Sequence, residues 1–162
     1  MGTMIDLSGA RVLRTVIADP APIPFTRPRR PKRWPGLLVV RFGVAGHPAQ
    51  WVTHGTSGTK AAQREALRAW QVKVAHAAAV AMRHARGTLA AGMVEVWADF
   101  VFAPGGKLPD RDNLVKGATD SLQGITFLND VQVVGGEGRR LRGPHEGAVI
   151  EVWSVKEVTI GD

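Results

Sequence analysis

The sequence predicts a single α+β domain, of mixed α/β composition, in which a mixed β-sheet packs against two main helices. The 162 residues suffice for one hydrophobic core, and no internal repeat marks a second domain, so the whole range 1–162 is assigned to one unit. Apolar residues recur at three- and four-residue spacing in segments 60–86 and 112–123, which predicts helices there. Segments 93–102 and 148–155 are apolar in the alternating or continuous patterns typical of strands.

The first third of the chain is predicted to contribute two further strands. Residues 11–17 alternate in polarity and are rich in β-branched side chains, and residues 37–42 form a second apolar run. Residues 43–58 are predicted to form a loop that contains a small strand at 51–53. Residues 1–10 carry little pattern and are predicted to be flexible.

Each predicted helix has one apolar side and a signal for its end. Leu67 and Val74 lie on the apolar side of the first helix, and Gly87 after it is suited to a left-handed C-cap. The second helix is predicted to begin at Asp112, an N-cap residue type, and to end before Gly124. The alanine-rich first helix and the final strand are candidates for a dimer surface.

The region after the second helix is predicted to be a short strand and a long loop. Residues 131–134 begin the strand, and residues 135–147 form a glycine-rich loop that carries Arg139, Arg140 and Arg142. These arginines are placed to grip a DNA strand, with a solvated loop as the alternative. The final strand is almost continuously apolar, which predicts a central position in the sheet.

Residues 19–35 form a proline-punctuated basic arm, which excludes a helix and a central strand. The arm holds five cationic side chains within seven residues: Arg27, Arg29, Arg30, Lys32 and Arg33. This spacing favours contact with DNA phosphates, whereas a solvated loop is the alternative. Trp34 follows the arm and is suited either to stacking on an exposed base or to the core.

The charge of the chain is divided unevenly and indicates a nucleic-acid partner. The net charge is +7, and residues 1–94 hold fourteen Lys and Arg side chains against three Asp and Glu. Residues 95–162 hold seven Lys and Arg against eleven Asp and Glu. A cationic part can neutralise phosphates while an acidic part holds a divalent cation, as a protein that cuts phosphodiesters requires.

The sequence lacks the residues that several classes of function require. The chain has no cysteine, which excludes a thiolate metal site and a cysteine nucleophile and fits a reducing compartment. No P-loop or dinucleotide fingerprint occurs, and the five histidines have neither zinc spacing nor a triad partner. The longest uncharged apolar run, at about residues 74–82, is too short to cross a bilayer, so no membrane association is expected.

Acidic residues and one lysine concentrate in residues 109–134, in a chain that is otherwise basic. Asp110 and Asp112 are two residues apart, so in an extended segment both carboxylates face the same way. Lys116 and Asp120 follow at four-residue steps on one helix face, and Asp130 opens the next strand. Each residue alone has an ordinary alternative: a helix cap, a solvated lysine or a turn aspartate. Together they predict an oxygen-rich site for Mg²⁺, with Mn²⁺ as a substitute.

The chemistry of phosphodiester hydrolysis explains these residue types. Water attacks the phosphorus only when it is activated and when the developing negative charge is neutralised. A carboxylate-bound Mg²⁺ lowers the pKa of water and holds phosphate oxygens, and a lysine stabilises the charged transition state.

The sequence from Asp110 to Lys116, followed by Asp120 and by Phe127 to Val134, closely resembles the RusA family of Holliday junction resolvases. The family pattern is roughly Asp-x-Asp-Asn-Leu-x-Lys, then Asp-x-Leu, then Asp-Asp-x-Gln-Val. Residues 22–24 and 27–29 also resemble the proline- and arginine-rich segment of that family. The resemblance extends over most of residues 11–155.

This resemblance implies roles for individual residues. Asp110, Asp112 and Asp130 would be catalytic and bind the metal, and Lys116 would be the catalytic lysine. The family acts as a homodimer in which each subunit makes one nick in a four-way DNA junction. Asn129 departs from the pattern, because the family has a second aspartate there, but the position of Asp130 is retained.

Three functions therefore compete. The first is a Mg²⁺-dependent endodeoxyribonuclease that resolves branched DNA by paired nicks. The second is a non-catalytic basic protein that coats DNA or RNA, in which the acids only cap a helix. The third is a metal-dependent transferase or phosphatase that uses Asp110 and Asp112, although no nucleotide-binding motif supports it.

Overall fold

The fold is that of a small α+β domain, as the sequence predicts. A computed structural model describes residues 16–17, 36–52 and 58–155 of the chain. The elements in chain order are β1 (Val16–Ile17), β2 (Gly36–Ala45), α1 (Gly58–His84), β3 (Val94–Phe102), α2 (Arg111–Leu122), a 3₁₀ turn (Asp130–Gln132), β4 (Val133–Arg142) and β5 (Gly147–Val155). Among these elements, neither helix combines the length and apolarity needed to span a bilayer.

The strands form one mixed sheet in the order β1-β2-β5-β3-β4. β5 pairs antiparallel with both β2 and β3, so the predicted central position of the last strand is confirmed. β4 pairs with β3 in parallel and lies at the edge of the sheet, so β3, α2 and β4 form a β-α-β unit. The outer edge of β4 has no partner strand among the described residues.

Both helices cover the same face of the sheet and form the core with it. The core residues of β3 are every second residue, from Val94 to Phe102, as its alternation predicts. α1 contributes Trp70, Val74 and its alanines at 77, 78 and 81, all buried. Those three alanines pack inside the protomer, and a contribution of the remaining α1 surface to a dimer stays a prediction.

The end of α1 differs from the expected C-cap in one residue. Arg86, with φ of 50°, adopts the left-handed conformation that was expected at Gly87. The Gly87 amide instead donates to the Met82 carbonyl at 2.9 Å, which closes a Schellman motif. A Cβ at Gly87 would also lie 3.1 Å from Cε of Met82, so the glycine provides room.

Five further predictions need correction. Residues 135–142 belong to β4 and not to the predicted loop. Gly136 allows the strands to approach closely, because a Cβ there would lie 1.8 Å from the Val96 carbonyl oxygen. The strand begins at Val133, since Asp130–Gln132 is a 3₁₀ turn. β2 continues to Ala45, and residues 51 and 52 form no strand. α2 begins at Arg111 with Asp110, not Asp112, as its N-cap.

The second face of the sheet carries no helix among the described residues; we call it the helix-free face. It holds the alternate residues of β3 and their neighbours, several of them charged yet buried: Arg41, Glu95, Asp99 and Glu151. Arg41 lies 3.6 Å from Glu151, and Arg139 forms a bidentate ion pair with Asp99. Burial lowers the pKa of Arg41, and the nearby charges of Glu151 and Asp99 partly oppose this effect.

Candidate active site

The N-terminus of α2 presents Asp110 at the surface. The residue has extended φ and ψ of −62° and 133°, and its Oδ1 accepts a hydrogen bond from the Asn113 amide at 2.9 Å. This bond satisfies one of the amides that lack a partner in the first turn of a helix. The carboxylate is exposed and keeps its second oxygen available in this geometry.

Asp112 lies in the first turn of α2, with 80% of its side chain exposed. Its Oδ1 accepts from Nε of Arg111 at 2.9 Å. That hydrogen bond, followed by the nearby charges of Asp112, Glu137 and Asp110, raises the pKa of Arg111. The raised pKa of Arg111 therefore reflects the negative charges at this end of the helix, in a chain whose net charge is +7.

Lys116 lies one turn beyond Asp112 on α2 and contacts two side chains. Its Nζ is 3.2 Å from Oδ2 of Asp120, four residues further along the helix. The same ammonium lies 5.2 Å from the centre of the Trp51 ring, within the range of a cation–π interaction. With about half of its side chain exposed, Lys116 has a defined position and remains accessible from solvent.

The loop after β2, residues 46–52, fixes this end of α2. Gln50 Oε1 accepts from the Asp110 amide at 2.8 Å, and the Trp51 amide donates to the Asn113 carbonyl at 2.9 Å. The loop can approach because Gly117 has no side chain: a Cβ there would lie 3.5 Å from both the Ala49 oxygen and the Trp51 nitrogen. The sequence gives no signal for Gln50 or Trp51, since neither belongs to a spaced motif.

Asp130 is exposed at the start of the 3₁₀ turn before β4. Gln132 holds this turn: its Nε2 donates to the carbonyls of Ala90 and Gly92 at 2.8 and 2.7 Å. Its Oε1 accepts from the amides of Leu128 and Asn129 at 2.7 and 3.1 Å. One amide side chain thus joins the segment that carries Asp130 to the loop before β3.

Asp110 and Asp112 lie two residues apart at the start of α2, Asp110 as the N-cap and Asp112 within the helix, whereas Asp130 lies at the opposite end of α2. α2 starts beside the end of β3, whereas Asp130 immediately precedes β4, which runs parallel to β3. Within the described ranges, no group of three or more acidic or histidine side chains is arranged to hold a metal ion. The ligand roles of the three aspartates stay predictions, and Asp130 does not join the other two within one chain.

The two predicted arginines of β4 point in different directions. Arg140 Nη1 donates to the Pro109 carbonyl at 2.9 Å, which places this cation beside Asp110. Arg139 instead pairs with Asp99 on the helix-free face. Arg142 donates to the carbonyls of Ala103 and Gly106, in the loop that leads to Asp110. The arm arginines at 27, 29, 30 and 33, and Lys32, lie outside the described residues.

The pair of carboxylates suits a hard divalent cation. Mg²⁺ is commonly held by one or two carboxylates, with water and substrate phosphate oxygens completing its shell. Asp110 and Asp112 are two such carboxylates, both exposed and two residues apart at the start of α2. The donor set therefore fits Mg²⁺ or Mn²⁺, with solvent access for a phosphate.

The comparison with known families defines the class of protein as an endodeoxyribonuclease. The family described as endodeoxyribonuclease RusA matches residues 44–153, more than half of the chain. The chain therefore belongs to the RusA endodeoxyribonuclease family, which implies activity on Holliday junctions and a branched DNA substrate. The match includes α1, α2, β3 and all four predicted catalytic residues, and it does not include the basic arm. No curated protein matches the chain.

Proposed function

We propose that the protein is a Mg²⁺-dependent endodeoxyribonuclease that resolves four-way junctions by paired symmetric nicks, as a homodimer. The observation that carries the proposal is the pair of exposed carboxylates, Asp110 and Asp112, at the start of α2 in a chain of the RusA family. Two nicks placed symmetrically require two active sites related by a two-fold axis, which supports a dimer.

Asp110 and Asp112 would hold the metal ion, and Asp130, at the opposite end of α2, keeps its predicted catalytic role. When bound, Mg²⁺ supplies an activated water and neutralises phosphate oxygens. Asp110 would bind the metal ion while it also caps α2, so the helix sets the direction of its second oxygen. The positive end of the helix dipole lies beside this carboxylate and favours an anionic phosphate there.

Lys116 and Arg140 would act on the DNA strand itself. The ammonium of Lys116, held between Asp120 and Trp51, is available to stabilise charge on the scissile phosphate. Arg140, fixed through the Pro109 carbonyl, is available to position a neighbouring phosphate. The arm arginines would contact the junction arms. Arg139 would contribute to the electrostatic potential along β4.

The decisive experiment separates the charge of Asp110 from its capping role. Asp110→Asn keeps an N-cap residue type, so α2 should stay intact while the metal-binding charge is lost. We expect nicking of a synthetic four-way junction to fall by more than about a hundredfold, the scale set by loss of one group that stabilises transition-state charge. Junction binding should be retained, because less negative charge faces the DNA.

Controls decide between the nuclease and the other candidate functions. Asp112→Asn should behave like Asp110→Asn, and Glu65→Gln, an exposed acid on α1, should cut like the wild type. Asp110→Ala removes charge and cap together, and its lower melting temperature would show the capping contribution separately. If the wild type cut no branched DNA in Mg²⁺ or Mn²⁺, or if it bound linear duplex as tightly as junctions, the binding protein would be the better description.

A further inference from the structure

We propose that the N-terminal half of α1 is a second DNA-binding surface, which holds the phosphate backbone of one junction arm beside the active site. The surface consists of three cationic side chains, Lys60, Arg64 and Arg68, which we call the α1 basic row. This inference rests on the proposed function and specifies where the substrate lies on the protein. Its observations are the spacing of the cations, their exposure and the packing of α1 against α2.

Helical spacing places the three cations in one line along α1. They are four residues apart, and four residues advance a helix by just over one turn and by ~6 Å. The row from Lys60 to Arg68 is therefore ~12 Å long. Successive phosphates of one DNA strand lie about 3.4 Å apart along the duplex axis, so the row matches a run of roughly three or four phosphates.

The row is accessible and has little opposing charge near it. Arg68 is exposed, and Lys60 and Arg64 are partly exposed. Residues 58–71 contain a single acid, Glu65, and the first turn of α1 contains none. The partial positive charge at the start of the helix is therefore not offset by an acidic side chain in that turn. A surface of this kind attracts a polyanion such as the DNA backbone.

Packing against α2 fixes the row beside the active site. Nε2 of Gln71 donates to the Gly117 carbonyl at 3.3 Å, and a Cβ at Gly117 would lie 3.1 Å from Cδ1 of Leu67. Gln71 lies seven residues after Arg64, close to two full turns, so it continues the line of the row. Gly117 directly follows Lys116. Packed helices have axes ~8–10 Å apart, so one DNA strand can contact both the row and Lys116.

A single phosphate path can therefore cross from α1 to the predicted metal-binding acids. It would follow the α1 basic row, pass Lys116 and reach Asp110 and Asp112 at the start of α2. On the other side of α2, the end of β4 brings Arg140 to the loop before Asp110. The scissile strand would thus be held on both sides of the reacting phosphate. Such contacts set the position of the DNA without reading its sequence.

The salt dependence of junction binding tests the row. In buffer that contains EDTA, fluorescence anisotropy of a labelled four-way junction gives the affinity at each salt concentration. Each lost phosphate contact reduces the slope of log affinity against log salt by about 0.9, so Arg64→Gln/Arg68→Gln should reduce it by roughly 1.8. At moderate salt this double variant should bind on the order of tenfold to a hundredfold more weakly than the wild type.

A matched control separates direct contact from overall charge. Arg83→Gln/Arg86→Asn removes two charges at the far end of α1, and asparagine tolerates the left-handed conformation of residue 86. Residue 83 lies ~22 Å along the helix from Arg68. This control should keep the wild-type slope. Equal losses in both double variants, or an unchanged slope in Arg64→Gln/Arg68→Gln, would contradict the inference. If that variant does not fold, Arg68→Gln alone, at an exposed position, should lower the slope by about 0.9.

Nicking kinetics separate this inference from the proposed function. In Mg²⁺, Arg64→Gln/Arg68→Gln should have a raised KM and a kcat close to that of the wild type, because Lys116 and the acids are unchanged. A kcat at least tenfold lower with an unchanged KM would contradict a binding surface. If the wild type nicks no branched DNA but the slopes change as expected, the proposed nuclease function fails and the binding surface stands.

A tethered probe locates the DNA on α1 independently. The chain has no cysteine, so Ala61→Cys, at an exposed position next to Lys60, gives one attachment site for an iron–EDTA reagent. All cations of the row stay in place in this variant. We expect backbone cuts within a few nucleotides of one another in a junction arm. His84→Cys, exposed at the far end of α1, is the control and should give none there. Equal cutting from both positions, or none from Ala61→Cys, would contradict the inference.

Discussion

The two faces of the sheet differ in where their charged side chains lie. On the helix-covered face the interior is apolar, and the charged groups collect at the rim, where α2 begins with Asp110 and Asp112 exposed. On the helix-free face, Glu95, Asp99 and Glu151 are no more than 8% exposed and lie within the sheet itself. Among the described residues both regions contain carboxylates, but those at the rim are the ones exposed to a ligand from solvent.

The partners of the carboxylates explain what each set can do. Asp99 accepts both guanidinium hydrogen bonds of Arg139, and Glu151 lies beside Arg41 and accepts from the indole of Trp153. Glu95 accepts from the indole of Trp97 in the same i, i+2 relation. These carboxylates therefore have partners within the sheet. The rim carboxylates make few contacts, which leaves oxygen atoms for a metal ion and a phosphate.

The largest effect on stability is expected from Glu151→Ala. The substitution removes the carboxylate that lies 3.6 Å from Arg41, a side chain in a residue only 6% exposed, and removing one partner of a buried pair costs up to about 3–5 kcal/mol. In a chain of this size each kcal/mol lowers the melting temperature by roughly 2–4 °C. Thermal unfolding monitored by circular dichroism should show the loss.

The matched control for Glu151 is an acid of the rim. Asp112→Ala removes an exposed carboxylate that Arg111 contacts at 2.9 Å, and exposed pairs contribute less than about 1 kcal/mol. The contrast between the faces requires a large loss of stability for Glu151 and a small one for Asp112. Equal melting temperatures for the two variants would show that burial does not distinguish them.

A smaller effect is expected where α2 packs on the edge strand. A Cβ at Gly138 would lie 2.5 Å from Cγ2 of Val115, a stiff side chain, so Gly138→Ala should destabilise the fold by about 1–3 kcal/mol. Val115→Ala removes the opposing methyl groups. The double variant should therefore be more stable than the sum of the two single changes predicts, as measured by urea unfolding. Additive losses in the free energy of unfolding would mean that the contact with Val115 is not what destabilises Gly138→Ala.

Local patterns in the sequence predict most of the fold. The alternation of residues 93–102 gives β3 and its core face, and the apolar run at the C-terminal end gives the central position of β5. β4 is the exception, because its glycines have low strand propensity. They are required instead by contacts with Val96 and Val115, which are distant in sequence.

The site is predictable in its residues but not in its arrangement. The spacing of Asp110, Asp112 and Lys116 follows from one helix, so the sequence indicates their proximity. Asp130 lies near the C-terminal end of α2 because β3 and β4 pair in parallel, and no local sequence pattern predicts that pairing. The same is true of Gln50, whose contact with the Asp110 amide joins residues 60 positions apart.

The smallest expected effect concerns Glu146, a carboxylate intermediate between the two sets. Its Oε1 accepts from the Ala103 amide at 3.1 Å and contacts Nδ1 of His47 at 2.9 Å, and 30% of the side chain is exposed. The hydrogen bond from Ala103, followed by that from His47, lowers the pKa of Glu146 below its ordinary value of 4.5. The folded state therefore favours the ionised form.

This direction fixes how stability should depend on pH. The contribution of the Glu146 charge is present above pH 4.5 and is lost as the pH falls through the lowered pKa of the folded state. Glu146→Gln retains an acceptor for the Ala103 amide but has no charge. We expect it to be less stable than the wild type by up to about 1 kcal/mol at neutral pH, since exposure weakens such interactions. Melting temperatures of the two proteins should converge as the pH is lowered, and a gap that widened in acid would show that the ionised carboxylate does not stabilise this end of the sheet.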